Sequence, residues 1–308
     1  MKRIFVLMLS ILMLLNFAAC GKSTEEPKPD ATVSATIPAE STEAPTAAPT
    51  QPPVTAVDTD KNTLVDNENA AFSIIRVENN AHMGMQLQVQ CVNKTDRTLL
   101  FSWDMVSVCG FMYDPFWAEE VAAGKTANST IYLDTYQLAK MDVESVDEIS
   151  FTLRIVDSEN WMEAPLVEEA FTVYPTGLNA DTVQMPNRAP TDGQVVIADN
   201  EDLRFVIEWA DSEDASAYTV YVYAENKTDR NLLYAWDLVS VNGFMIDPFW
   251  AVSVSAGKKA CSEVTFYRSD LEANGITDIS QIEFRLLVSD YDDWEADYLL
   301  EETYTYNP

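Results

Sequence analysis

Residues 93–117 read NKTDRTLLFSWDMVSVCGFMYDPFW, and residues 226–250 read NKTDRNLLYAWDLVSVNGFMIDPFW. The two strings agree at 19 of 25 positions, and the match continues beyond both ends. At a constant offset of 133, Leu64-Val65-Asp66-Asn67-Glu68 falls on Ile197-Ala198-Asp199-Asn200-Glu201, Trp161 on Trp294 and Pro175 on Pro308. Residues 64–175 and 197–308 are two copies of one 112-residue unit, the size of a single domain. With Thr63 included, the repeats occupy 63–175 and 197–308, and a connector at 176–196 carries Pro186, Pro190 and Gly193.

Apolar residues inside the unit recur with period two. Met85, Leu87, Val89 and Cys91 alternate with Gln86, Gln88 and Gln90, and Tyr218, Val220, Val222 and Ala224 alternate with Thr219, Tyr221 and Tyr223. Ile149, Phe151, Leu153 and Ile155 repeat as Ile282, Phe284, Leu286 and Val288. These are the patterns of half-buried strands. Within the opening string the apolar phase slips from Leu99, Phe101 and Trp103 to Val106 and Val108, and it slips at the same place in the second copy. A β-bulge or a change of sheet is expected near Asp104 and Asp237. Ser269-Asp270-Leu271-Glu272 has the spacing of a capping box and Gly275 can close a helical turn, so a short helix should precede the Ile149 strand and its copy, the Ile282 strand. Six to eight short strands per copy, each copy with its own core residues, predict an all-β protein of two tandem immunoglobulin-like β-sandwich domains.

Asn-Lys-Thr-Asp-Arg after a strand, Val-Asn-Gly at a turn, and Ala123-Gly124-Lys125 and Ala256-Gly257-Lys258 before the following strand form a recognisable set. In these features both repeats resemble the telokin-like immunoglobulin-fold domains of uncharacterised Gram-positive bacterial lipoproteins. The resemblance implies a sandwich fold and brings no catalytic residues with it. The Cys–Trp–Cys pattern of antibody domains is absent.

The N-terminal segment sets the expected location. Lys2 and Arg3 precede an apolar run from Ile4 to Leu15, and Ala18-Ala19-Cys20 follows. Residues 1–19 read as a secretory leader, too short to remain as a membrane span, and the small residues before Cys20 resemble the lipobox of bacterial lipoproteins. Cys20 is expected to carry the lipid that anchors the chain to the cell membrane on its extracytoplasmic side. Residues 20–62 should form a tether, because residues 21–62 hold 7 of the 14 prolines and too few aliphatic residues for a core. Extended at about 3.1 Å per residue, this segment could reach roughly 130 Å. The formal charge of −31 excludes nucleic acid as a partner and leaves the lipid as the only membrane contact.

Little in the sequence suggests catalysis. Gly-x-Ser-x-Gly, His-Glu-x-x-His, Cys-x-x-Cys and phosphate-binding glycine loops are all missing. The sole histidine, His82, falls on Ala215 in the other copy, and Cys91, Cys109 and Cys261 fall on Ala224, Asn242 and Asn128. No enzymatic activity, cofactor or metal is expected, and the three cysteines should be free thiols. The acidic run from Asp290 to Asp297 lacks the ligand spacing of a calcium loop and reads as a solvated turn. In Asp114-Pro115-Phe116-Trp117 and Asp247-Pro248-Phe249-Trp250, Asp should cap a turn while Phe and Trp enter the core, as should Trp103, Trp236, Trp161 and Trp294.

Differences between the copies are more informative. Trp209, Tyr221 and Tyr223 stand where the first copy has Arg76, Gln88 and Gln90. These three are the candidate ligand-binding residues, an aromatic face for an extracellular glycan or protein; the alternatives are that tyrosine simply suits a half-exposed strand face or that the two domains pack there. Ligand binding or adhesion at the cell surface is the expected function, with a structural spacer or envelope-assembly part as the alternative.

Overall fold

The computed structural model describes residues 56–57, 62–80 and 84–308. Cys20, the leader, most of the tether and His82 lie outside the described residues. The chain is mostly β-sheet, and its elements recur with the offset read from the sequence. The first copy contains β1 (Ala56–Val57), β2 (Asn62–Asp66), β3 (Ala70–Asn80), β4 (Gly84–Asn93), β5 (Leu99–Val108), β6 (Phe111–Met112), β7 (Ala118–Val121), β8 (Thr126–Leu133), α1 (Thr135–Lys140), β9 (Ile149–Asp157) and β10 (Val167–Val173). The second contains β11 (Val195–Asp199), β12 (Leu203–Asp211), β13 (Ala217–Asn226), β14 (Leu232–Val241), β15 (Phe244–Met245), β16 (Ala251–Val254), β17 (Lys259–Tyr267), α2 (Arg268–Ala273), β18 (Ile282–Asp290) and β19 (Leu300–Tyr306). Ala56 and Val57, placed in the tether on composition, pair with Glu78 and Val77 of β3.

Each repeat is a sandwich. In the first, one sheet runs β3-β4-β8, with β1 and β2 sharing the outer edge of β3; the other runs β10-β9-β5, with β6 and β7 sharing the outer edge of β5. The second repeat uses the same order: β11-β12-β13-β17 against β19-β18-β14, with β15 and β16 on the edge of β14. The inward residues of β4 and β13 are those the alternation selected, with Leu87, Val89, Val220 and Val222 at 1% exposure or less. Trp103 stacks on Phe151 at 3.7 Å in the first core, and Trp236 on Phe284 at 3.9 Å in the second.

The phase slip has the cause the sequence suggested. Register shifts between Asp104 and Ser107 and between Asp237 and Ser240, and Met105 and Leu238 take positive φ there. Both short helices form, and Gly275 has φ +71 just beyond α2. The capping box does not form. The N-cap of α2 is Tyr267, with no side-chain cap bond, because the helix begins at Arg268 and places Ser269 inside its first turn. The first copy is capped by Asp134, whose carboxylate accepts from Gln137 N.

The repeats are not separate beads. Lys259 of β17 pairs in parallel with Phe111 of β6, and its N–H donates to Gly110 O at 3.0 Å. One nine-stranded sheet therefore crosses from the first repeat into the second.

Candidate functional site

The Asn-Lys-Thr-Asp-Arg string builds a structural hub. Asn93 is buried, and its amide nitrogen donates to Arg97 O at 2.7 Å and Val121 O at 2.8 Å while its Oδ1 accepts from Thr95 N at 2.9 Å. Asn226 repeats this with Arg230 O, Val254 O and Thr228 N. Lys94 reaches Asn67 O at 2.6 Å, and Arg97 pairs with Asp157 at 2.9 Å. The motif satisfies carbonyls that the chain would otherwise bury without a partner, which explains its duplication without a ligand.

Asp-Pro-Phe-Trp also builds a turn, but not wholly as expected. Asp114 and Asp247 each accept from the phenylalanine N–H two residues on, at 2.8 Å. Trp117 and Trp250 turn inward, their indole N–H groups bonded to Ser129 at 3.1 Å and Ser262 at 3.0 Å. Phe116 and Phe249 do not enter the core. Both sit near φ +48, in the left-handed region (47° and 49°), and the backbone reversal there sends ring and indole in opposite directions, leaving Phe116 85% exposed. Trp161 and Trp294 are also exposed, because they lie in the turns beyond the ends of β9 and β18.

The three candidate residues divide. Register on β12 jumps from Ile207↔Val222 to Trp209↔Tyr221, so Glu208 is an inserted bulge residue. Without the bulge Trp209 would share the inward face of Phe205 and Ile207; with it, the indole turns outward beside Tyr221. The two rings stack at 3.7 Å with 10° between their planes, and Trp209 is 44% exposed. Lys140, at the end of α1 in the other repeat, lies 5.7 Å from the Tyr221 ring and 4.1 Å from the exposed ring of Tyr136. It also pairs with Glu263 on β17. Burial opposes the Lys140 charge, but hydrogen bonds to Glu263 and Tyr136 outweigh it and hold the ammonium above its ordinary pKa. Burial, then the Glu263 carboxylate, raise the Tyr221 hydroxyl. The result is a strip of Trp209, Tyr221, Lys140 and Tyr136 that crosses from one repeat to the other.

Tyr223 is not in this strip. It packs with Cys261 against the core of the first repeat, 5.9 Å below the Arg188 guanidinium. Burial, then Glu225, push its hydroxyl up, and burial pushes the Cys261 thiol up to about 12. Arg188, from the connector, grips buried Glu208 with both terminal nitrogens, one contact at 2.9 Å, and lies 3.8 Å from Asp142. Thr191 donates to the same Glu208 at 3.3 Å. The bulge therefore places a carboxylate under the connector as well as an indole at the surface. Lys258 pairs with Glu148 at 3.2 Å, and Ser255 N donates to Met112 Sδ at 3.3 Å. Tyr223 belongs to a joint between repeats.

Sequence reading missed Arg188, Glu208, Lys140 and the two exposed phenylalanines. A charged Glu208 replacing Ile75 inside an apolar strand was the one available signal for the joint.

Cys91, Cys109 and Cys261 are free. The acidic turn is used locally: Asp290 pairs with Arg230 at 3.2 Å and accepts from Asp292 N at 2.9 Å. Among the described residues no cluster of three or more His, Cys, Asp or Glu is placed to hold a metal ion, and no helix is long and apolar enough to cross a membrane.

No protein-family model and no curated protein matches the chain. Two mutant structures of Bacillus subtilis oxalate decarboxylase align at 10% identity over 85% of this chain and 78% of theirs, with TM-scores of 0.13 and 0.12. Similarity at that level transfers neither fold nor activity.

Proposed function

We propose that the chain is a lipid-anchored, extracytoplasmic lipoprotein whose two immunoglobulin-like repeats bind a glycan or protein ligand at the cell surface without catalysis. The observation that carries the binding role is the half-exposed Trp209–Tyr221 stack, continued by Lys140 and Tyr136. Aromatic faces held by a strand pair lose little entropy on contact and suit the apolar faces of sugar rings or an aromatic anchor of a protein. The anchor rests on the leader and Cys20, and the acidic composition argues against nucleic acid.

The test uses residues 53–308, which hold both cores and the joint, screened against glycan and protein arrays. Replacement of Trp209 by Arg and Tyr221 by Gln, the first copy's residues, should abolish capture while lowering stability by only about 1 kcal/mol. No ligand on either array, or capture unaffected by the double replacement, overturns the platform. For the anchor, Cys20→Ala should release the chain from the membrane fraction; unchanged retention and mass overturn the lipoprotein reading.

The spacer reading has its own support. The shared sheet and the Arg188–Glu208 clamp fix the two repeats to one another, as a rigid arm requires.

A further inference from the structure

The joint uses one end of each repeat, and the opposite ends of the pair carry the same two surfaces, neither covered by another strand among the described residues. In the first repeat the β5–β6 corner is covered: Phe111 is 1% exposed, under Lys259, and Met112 takes the Ser255 N–H. In the second repeat the equivalent corner is open, with Phe244 49%, Met245 66% and Leu238 54% exposed. The covering surface on the second repeat is the turn Ser255-Ala256-Gly257-Lys258 and the start of β17. Its equivalent, Ala122-Ala123-Gly124-Lys125 and the start of β8, is exposed on the first repeat.

The two turns share their construction. Lys258 N donates to Ser255 O at 3.0 Å and Gly257 N to Thr228 O at 3.1 Å; Lys125 N donates to Ala122 O at 3.0 Å and Gly124 N to Thr95 O at 3.0 Å. Among the described residues only β4 pairs with β8, and only β14 pairs with β15. The chain entering through β1 and β2 lies on the far edge of β3, and β19 lies on the far edge of the other sheet, so neither obstructs these two surfaces.

We propose that the Phe244–Met245 corner is an interaction surface for a second copy of this chain, which docks the start of its β8 there as β17 docks on β6 within one chain. In this arrangement Thr126 N donates to Gly243 O, as Lys259 N does to Gly110 O, and Ala122 N faces Met245 Sδ, as Ser255 N faces Met112 Sδ. The contact is heterologous, head to tail, and joins the β3-β4-β8 sheet of one copy to the β14-β18-β19 sheet of the next, as the nine-stranded sheet joins the repeats within one chain, rather than closing a dimer. It is weaker than the internal joint. Gln281 replaces Glu148 opposite the lysine, and Gln88, Gln90 and Asn128 replace Tyr221, Tyr223 and Cys261 beside it. Copies this acidic also repel one another, so added salt should strengthen the association by screening. That is opposite to the salt response of association through charge pairs.

Sedimentation velocity of residues 53–308 across a wide concentration range, at low and high salt, tests the proposal. The expected result is a weight-average mass that rises with concentration and rises further with salt. Met245→Lys, at an exposed position, should hold the protein monomeric with its melting temperature unchanged. Thr126→Pro, which removes the outward N–H at the edge, should do the same. A mixture of the two single variants can still form the one contact whose partners are both intact, so it should give dimers and nothing larger. A monomer at every concentration and salt overturns the proposal. Association that survives both variants, or that salt abolishes, overturns it equally.

Discussion

Strands β4 and β13 are the same strand written twice, and they show how a copied domain is specialised. Their inward residues are interchangeable in kind and equally buried. Their outward residues are Gln86, Gln88 and Gln90 in one, and Thr219, Tyr221 and Tyr223 in the other. The glutamine face stays polar, with Gln90 bonded to Asn128 at 3.1 Å. The tyrosine face receives the first repeat and the connector. On these strands, what the copies share builds the sandwich, and what they do not share faces the joint and the aromatic strip.

This contrast is most directly challenged in the two cores. Trp103→Ala and Trp236→Ala should each cost about 4 kcal/mol, since each removes a stacked indole from the centre of its sandwich. Equal losses in urea denaturation would uphold the equivalence of the cores, and a loss confined to one copy would break it.

A smaller effect separates joint from core. Glu208→Ala leaves Arg188 mostly buried opposite a void, and should cost about 3 kcal/mol, whereas the exposed Arg230–Asp290 pair should yield less than about 1 kcal/mol when broken. If the loss from Glu208→Ala reflects the joint, the first transition in a calorimetric scan should separate from the second, each repeat then melting alone. A single unsplit transition at the wild-type temperature would show that the clamp contributes nothing.

The smallest effect is kinetic. Burial, with Glu119 nearby, raises the Cys91 thiol to about 12, and burial raises Cys261 to the same value. Both pKa values exceed the ordinary one, so both thiols stay protonated near neutral pH and should resist alkylation in the folded protein. They differ in what must open. Cys91 is released only by unfolding its core, while Cys261 is released by parting the repeats, so Cys261 should label first and should accelerate selectively in Glu208→Ala. Labelling of both at one rate would mean that the joint opens no sooner than the cores.

Much of this was legible because it is periodic. Alternation in Met85–Cys91 and Tyr218–Ala224 gave strands and their buried faces, and the slip after Trp103 and Trp236 located a bulge. The bulge at Glu208 was not legible. An inserted residue in a run already rich in apolar side chains leaves the alternation of Phe205, Ile207 and Trp209 looking unbroken, so the strand pattern by itself gave no reason for Trp209 to turn outward. Phe116 and Phe249 were misread because composition places phenylalanine in cores, while a left-handed backbone at one residue decides which way a ring points. The capping box failed because Ser269 falls two residues after Tyr267, the N-cap at which α2 leaves its strand.

The sequence by itself determined the duplication, the all-β class, the alternating faces and the separate cores, since all of these follow from local spacing and from which residues leave water. Only the tertiary structure decided the rest. That Tyr223 is covered while Trp209 remains open depends on where Arg188 of the connector lands. That Phe111 is buried while Phe244 is exposed depends on which neighbour lies beside each. The two strings quoted at the outset are nearly identical there, and identical residues meet different fates because burial at an edge belongs to the partner across it and not to the strand that carries it.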